Sequence, residues 1–74
     1  MTATTFEQEQ IEFKRKVRKR IGDELWDRHW RQSDLAEIIG EGVSQTNRAI
    51  NGETSPKSVA IRKKIFKLFD ITDL

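Results

Sequence analysis

The sequence predicts an all-α fold, a small domain of four to five helices, and three observations carry that expectation. Apolar residues recur at three-, four- and seven-residue steps, the spacing of a helix face, rather than in alternation. Glycine stands at the end of two of these runs, at Gly40 and Gly52, and a Ser55–Pro56 pair opens another. With 74 residues, 35% hydrophobic and 35% charged, four Gly and one Pro, the chain can build one thin core, which suits short helices better than a sheet or barrel.

The elements follow in order. Thr4 or Thr5 is placed to cap a first helix, and Glu7 and Glu9 suit the positive end of its dipole. Phe6, Phe13, Val17, Ile21 and Leu25 mark its inner face, and its end falls near Arg28 or His29. Gly22 weakens or bends this stretch, which is either one long helix or an arm running into a shorter one. Residues 1–20 are accordingly read as an N-terminal extension, helical in character, and 21–74 as the main domain.

A second helix spans residues 32–39, with Ser33 and Asp34 in its first turn and Leu35, Ala36 and Ile39 facing inward. Gly40 stops it, because glycine adopts the left-handed conformation at little cost. A third helix runs from about Val43 to Asn51, and Gly52 ends it in the same way. The fourth starts at Ser55–Pro56, with Ile61, Ile65, Leu68 and Phe69 as its core face and Lys57, Arg62, Lys63, Lys64 and Lys67 covering the rest. Ile71 and Leu74 are placed to begin a fifth element.

The net charge is only +2, but the charges are segregated. Residues 1–13 hold three acids and no base, and residues 14–20 hold six bases and no acid. Residues 23–41 hold six acids against Arg28 and Arg31, and residues 55–67 hold five bases and no acid. Such blocks imply faces of opposite potential, or simply separate solvated helix surfaces.

Several function classes are disfavoured. With no cysteine, the chain has no disulfide framework, thiolate nucleophile or thiolate metal site, and a reducing cytoplasm is the compatible compartment. No apolar run reaches bilayer length and no signal-peptide pattern is evident. His29 is the single histidine and lacks a cluster of partners, so a catalytic or metal-binding role is not expected. Asp23, Glu24 and Asp27 read as an exposed helix face, and Trp26 and Trp30 as core or half-buried packing. Gly40-x-Gly42 is no phosphate cradle, since no strand precedes it and no Lys-Ser/Thr follows. A core this small can hardly enclose a substrate pocket, so the chain is not expected to be an enzyme or to need a cofactor.

The informative stretch is Gln32 to Gly52. Two short helices joined at Gly40, with the small Ala36 four residues earlier, permit a close crossing that projects the second helix outward. A helix projected in this way fits a DNA major groove. Trp30, Gln32, Leu35, Ala36 and Gly40, followed by Asn47-Arg48-Ala49-Ile50-Asn51-Gly52, resemble the Cro/CI-type helix-turn-helix family of phage and bacterial regulators. The likeness extends from about Ile21 to Leu74.

The resemblance implies a sequence-specific binder of double-stranded DNA that acts as a repressor or Cro-like switch in the cytoplasm of a bacterial host. It implies that Gln32, with Ser33 beside it, meets a phosphate, and that Ser44, Gln45, Asn47 and Arg48 read bases. Arg binds guanine through two hydrogen bonds, and Asn or Gln does the same to adenine. Asn51, Thr54, Ser55 and Lys57 would hold the backbone, positioning the domain without specifying sequence. A homodimer on a two-part site is expected, because one thin module buries little surface.

The chain departs from the family in three places. Arg31 replaces the usual Ser or Thr cap, Glu41 the inward Val or Ile after the turn, and Thr46 the branched apolar residue of the third helix. A one- or two-residue shift that tucks Val43 into the core would compensate.

Lys14 to Arg20 lies outside the resemblance. Its bases repel one another, with Glu12–Lys16 as one favourable helical pair. Lys14, Arg15, Arg18 and Lys19 are therefore expected to reach the DNA backbone. The rival from another class is a protein-interaction module, antitoxin-like or anti-repressor, using Val59 and Phe66 as an apolar patch. A membrane-surface helix over residues 6–21 is opposed by its acidic opening. Within the DNA-binding class an excision-directing factor is the alternative.

Overall fold

A computed structural model of the chain describes residues 6–74; the expected cap at Thr4 or Thr5 lies outside them, as does the side chain of Phe6. The fold is all-helical. Helix α1 spans Phe6–Arg28, α2 Gln32–Ile39, α3 Val43–Ile50 and α4 Pro56–Leu68. Of the two alternatives for the N-terminal stretch, the structure takes the single long helix, and α1 runs unbroken through Gly22. Val17 and Ile21 sit side by side in one core, so this helix crosses residues 20 and 21 without interruption. No fifth helix follows α4. The last residues turn back instead, and Ile71 is buried among the helices.

All four described helices end in the same way. The residue after the last turn takes a left-handed conformation: His29 (φ 58°), Gly40 (φ 71°), Gly52 (φ 82°) and Asp70 (φ 54°). The following N–H then reaches back to the carbonyl five residues earlier. These bonds run from Trp30 to Leu25 (2.9 Å), Glu41 to Ala36 (2.9 Å), Glu53 to Arg48 (3.2 Å) and Ile71 to Phe66 (2.8 Å). Each satisfies a carbonyl orphaned at the helix end and folds the chain sharply back. Gly52 is needed twice over, because a Cβ there would also lie 2.6 Å from Cγ of Lys14 on α1.

Starts are less uniform. The Oγ of Ser55 accepts from the N–H of Ser58 at 3.2 Å, the expected cap of α4, with Pro56 at the first helical position. At α2 the cap residue is Arg31, whose side chain has no acceptor to offer. Asp34 compensates, its Oδ2 accepting from the Arg31 N–H at 2.8 Å.

The core gathers Val17, Ile21 and Leu25 from α1, Leu35 from α2, Ala49 and Ile50 from α3, Ile61 and Ile65 from α4, and Phe69 and Ile71 beyond it. Helix α3 packs against each of the other three. Ala36 and Ala49 are buried, as a close helix crossing requires. Trp30 closes one end against Phe69 with ring centroids 5.9 Å apart, and the Arg28 guanidinium lies 4.5 Å from the Phe69 centroid.

Four expectations about the core are corrected. Trp26 is 80% exposed, because it lies about 100° round the helix from buried Leu25. Phe13 is only partly covered, with the Arg62 guanidinium 5.7 Å from its ring. Leu68 faces solvent. Arg62, expected on the surface, is 6% exposed, because it falls on the buried stripe Ser58, Ile61, Arg62, Ile65, Phe69.

Candidate functional site

Helix α3 has only eight residues and two distinct sides. Thr46, Ala49 and Ile50 are buried, whereas Val43, Ser44, Gln45, Asn47 and Arg48 are exposed. The expected shift that tucks Val43 inward does not occur; Val43 is 52% exposed, at the first position of α3. Thr46 takes the core position in its place. It is fully buried, and its Oγ1 has no hydrogen-bond partner.

The turn before α3 explains why no shift is needed. Glu41 occupies the inward position, with its side chain only 9% exposed, and meets Lys57 Nζ at 2.9 Å and Lys64 Nζ, both from α4. The two ammonium groups, Lys64 first, hold the Glu41 carboxyl below the usual carboxylate range. An ion-pair cluster thus does the work of the branched apolar residue expected there, tying the α2–α3 turn to α4. Lys57, expected at a phosphate, is one of its two cations.

Three of the polar residues singled out in the sequence are joined by hydrogen bonds. Asn47 Nδ2 donates to Gln32 Oε1 at 2.9 Å, and Asn51 Nδ2 donates to Asn47 Oδ1 at 3.1 Å. The chain Gln32–Asn47–Asn51 links the start of α2 to the middle and end of α3. It fixes the plane of the Asn47 amide while leaving one hydrogen on Nδ2 and one lone pair on Oδ1. Those are the two groups that a bidentate partner such as the adenine edge requires. Ser44, Gln45 and Arg48 lie exposed beside Asn47, and Ser33 is exposed at the start of α2 and Thr54 just before the cap of α4. Ser55 is committed locally, since its Oγ caps α4 and also donates to Ser58 Oγ at 2.9 Å.

No family model, curated protein or solved structure matches the chain. The site therefore stands on its own geometry.

Sequence reading missed two residues that build it. Arg62 Nη1 donates to the carbonyls of Ala49 (3.1 Å) and Glu53 (2.8 Å), placing a buried cation at the C-terminal end of α3 where the helix dipole favours it. Its place on the Ile61/Ile65 stripe was the available signal. Glu41 was read as a departure, and its position at the inward point of the turn was the clue to its burial.

The basic run of α1 is divided. Lys19 Nζ lies 3.1 Å from Asp23, and Arg20 pairs with Glu24 and lies 3.5 Å from Asp73. Glu24 also pairs with Arg28, and the two guanidiniums, Arg20 first, lower its pKa. Among the described residues no carboxylate pairs with Lys14, Arg15 or Arg18, and Glu12 and Lys16 do not form the expected pair.

The apolar patch expected of Val59 and Phe66 is not presented: Val59 is half-buried and Phe66 packs against the core. Among the described residues, no cluster of three or more His, Asp or Glu could hold a metal ion, and no helix is long and apolar enough to cross a membrane.

Proposed function

We propose that the chain is a sequence-specific double-stranded DNA-binding protein that reads the major groove with the exposed side of α3. Ser44, Gln45, Asn47 and Arg48 meet base edges. Gln32, Ser33, Asn51 and Thr54 face the flanking phosphates, and repression or a Cro-like switch is the output. Two copies on a two-part site supply the buried surface that one module lacks.

The single observation that carries this reading is the Gln32–Asn47–Asn51 chain of hydrogen bonds. A solvent-facing amide held from both sides is pre-organised for bidentate recognition, whereas an ordinary surface asparagine is free to rotate. Arg48 adds the guanine-binding group one residue away.

Titration of a random duplex and of a duplex selected from a random pool, at several salt concentrations, tests the proposal. Binding is expected to weaken steeply with salt on both, because phosphate neutralisation releases counterions. Arg48→Ala is expected to cost about 1–3 kcal/mol on the selected duplex and little on the random one. Equal losses would demote Arg48 to a bystander. A protein that enriches no sequence and binds no duplex would turn attention to the protein-interaction alternative.

A further inference from the structure

We propose that one flank of α1, carrying Lys14, Arg15 and Arg18, is a second phosphate-binding strip that extends the nucleic-acid contact beyond α3; this rests on the DNA-binding reading above. The sequence shows six candidate bases within residues 14–20, and the structure divides them.

Lys14 sets the reference direction. Its Cα, Cβ and Cγ lie over Gly52, so this side of α1 abuts the loop leaving α3. At about 100° per residue, Arg18, Ile11 and Arg15 fall about 40°, 60° and 100° to one side of Lys14. Phe13 and Arg20 fall about 100° and 120° to the other side on the same count. That second side is occupied: Phe13 lies under Arg62 of α4, and Arg20 meets Asp73 of the C-terminal tail. The first side is open. Ile11, Lys14, Arg15 and Arg18 line one shallow groove there, with no carboxylate pairing any of the three bases among the described residues.

Lys19, about 140° from Lys14 and beyond Arg15 on the same count, does not line the groove and is paired with Asp23. It was expected among the phosphate ligands and is left out of this strip. The groove thus adjoins the loop that carries Thr54, through the contact of Lys14 with Gly52. Three like charges on one flank repel one another, and a phosphate backbone running along the groove relieves that repulsion while releasing its own counterions.

The test compares two triple variants of equal net charge. One is Lys14→Gln, Arg15→Gln, Arg18→Gln, which keeps the Cβ and Cγ of residue 14 over Gly52. The other is Lys16→Gln, Lys19→Gln, Lys67→Gln. Circular dichroism checks that both keep their helices.

The strip variant is expected to bind random and selected duplexes alike about tenfold more weakly, with the log affinity against log salt slope flattened by about two to three units. The matched variant is expected to flatten it by less than about one unit. A wild type that binds DNA while the two triples give equal slopes overturns this strip alone. A wild type that binds no duplex overturns the DNA-binding reading and the strip with it.

Discussion

Residues 14–20 and residues 55–67 are the two basic stretches of the chain, with six and five bases and no acid in either. Folded, they differ. In the second stretch Arg62 is buried on two carbonyls at the end of α3, and Lys57 and Lys64 are drawn onto the half-hidden Glu41. Three of its five bases therefore serve the fold. In the first stretch Lys19 and Arg20 are paired on their own helix, and among the described residues no carboxylate pairs with Lys14, Arg15 or Arg18. A run of bases measures potential ligands for phosphate only after the internal partners are subtracted. Those partners are Asp23 and Glu24 one turn away, and Asp73, Glu41 and backbone carbonyls farther along the chain.

The largest expected effect comes from removing the most deeply committed base. Arg62→Ala strips two charge-assisted bonds from the end of α3, leaving the Ala49 carbonyl to the Gly52 N–H alone and the Glu53 carbonyl without its Arg62 donor. Urea unfolding is expected to show a loss of about 2–3 kcal/mol, each charge-assisted bond being a strong one. A loss below about 1 kcal/mol, the size of an ordinary hydrogen bond, would mean that this base is as dispensable as a surface one.

Glu41→Gln should have a smaller effect that is plainly pH-dependent. The folded pKa of Glu41 is lowered from 4.5, so its contribution is present above that value and lost as pH falls through the folded one. The wild type is expected to lose stability on acidification more steeply than Glu41→Gln, as followed by thermal melts across the acidic range. The same variant frees Lys57 and Lys64, so its salt slope on duplex DNA is expected to steepen by up to about two units. Parallel acid profiles would show that the cluster does not hold the turn.

The smallest effect is expected at Lys19, whose partner Asp23 is exposed. Lys19→Gln should change stability by less than about 0.5 kcal/mol, as exposed pairs do. It should also leave the salt slope within about one unit, the share of a single phosphate. A slope change as large as that of the whole Lys14, Arg15 and Arg18 strip would erase the division of the α1 bases.

Legibility in the sequence follows the range of the interaction. Gly40, Gly52 and Ser55–Pro56 announced three boundaries because their chemistry is local. The end of α1 near Arg28 or His29 was also expected, but the left-handed turns at His29 and Asp70 were not, since residues of ordinary type hold that conformation there. The inner faces of α1, α2 and α4 emerged from periodicity, apart from Phe13 and Leu68, which fall on the expected stripes yet stay partly exposed, and Trp26, which lies off the stripe of α1. Of the candidate site, the exposed set on α3 was readable as residue types. That Gln32, Asn47 and Asn51 are bonded to one another was not, because the first bond spans fifteen positions. Arg62 and Glu41 were misread because charge was taken as a sign of exposure, whereas Arg62 is buried and Glu41 half-buried, each with its partners supplied.

Helix α3 is at once the shortest route between the other three helices and the bearer of the candidate contact face. Its two roles fall on different residues. Thr46, Ala49 and Ile50 serve the core, while the side chains of Val43, Ser44, Gln45 and Arg48 are exposed. Those four side chains are thus open to exchange at little thermodynamic penalty, whereas the exposed Asn47 side chain carries a link to Gln32 of α2. A lineage built on this scaffold could change what it recognises by substituting one side of an eight-residue helix, leaving the architecture behind it untouched.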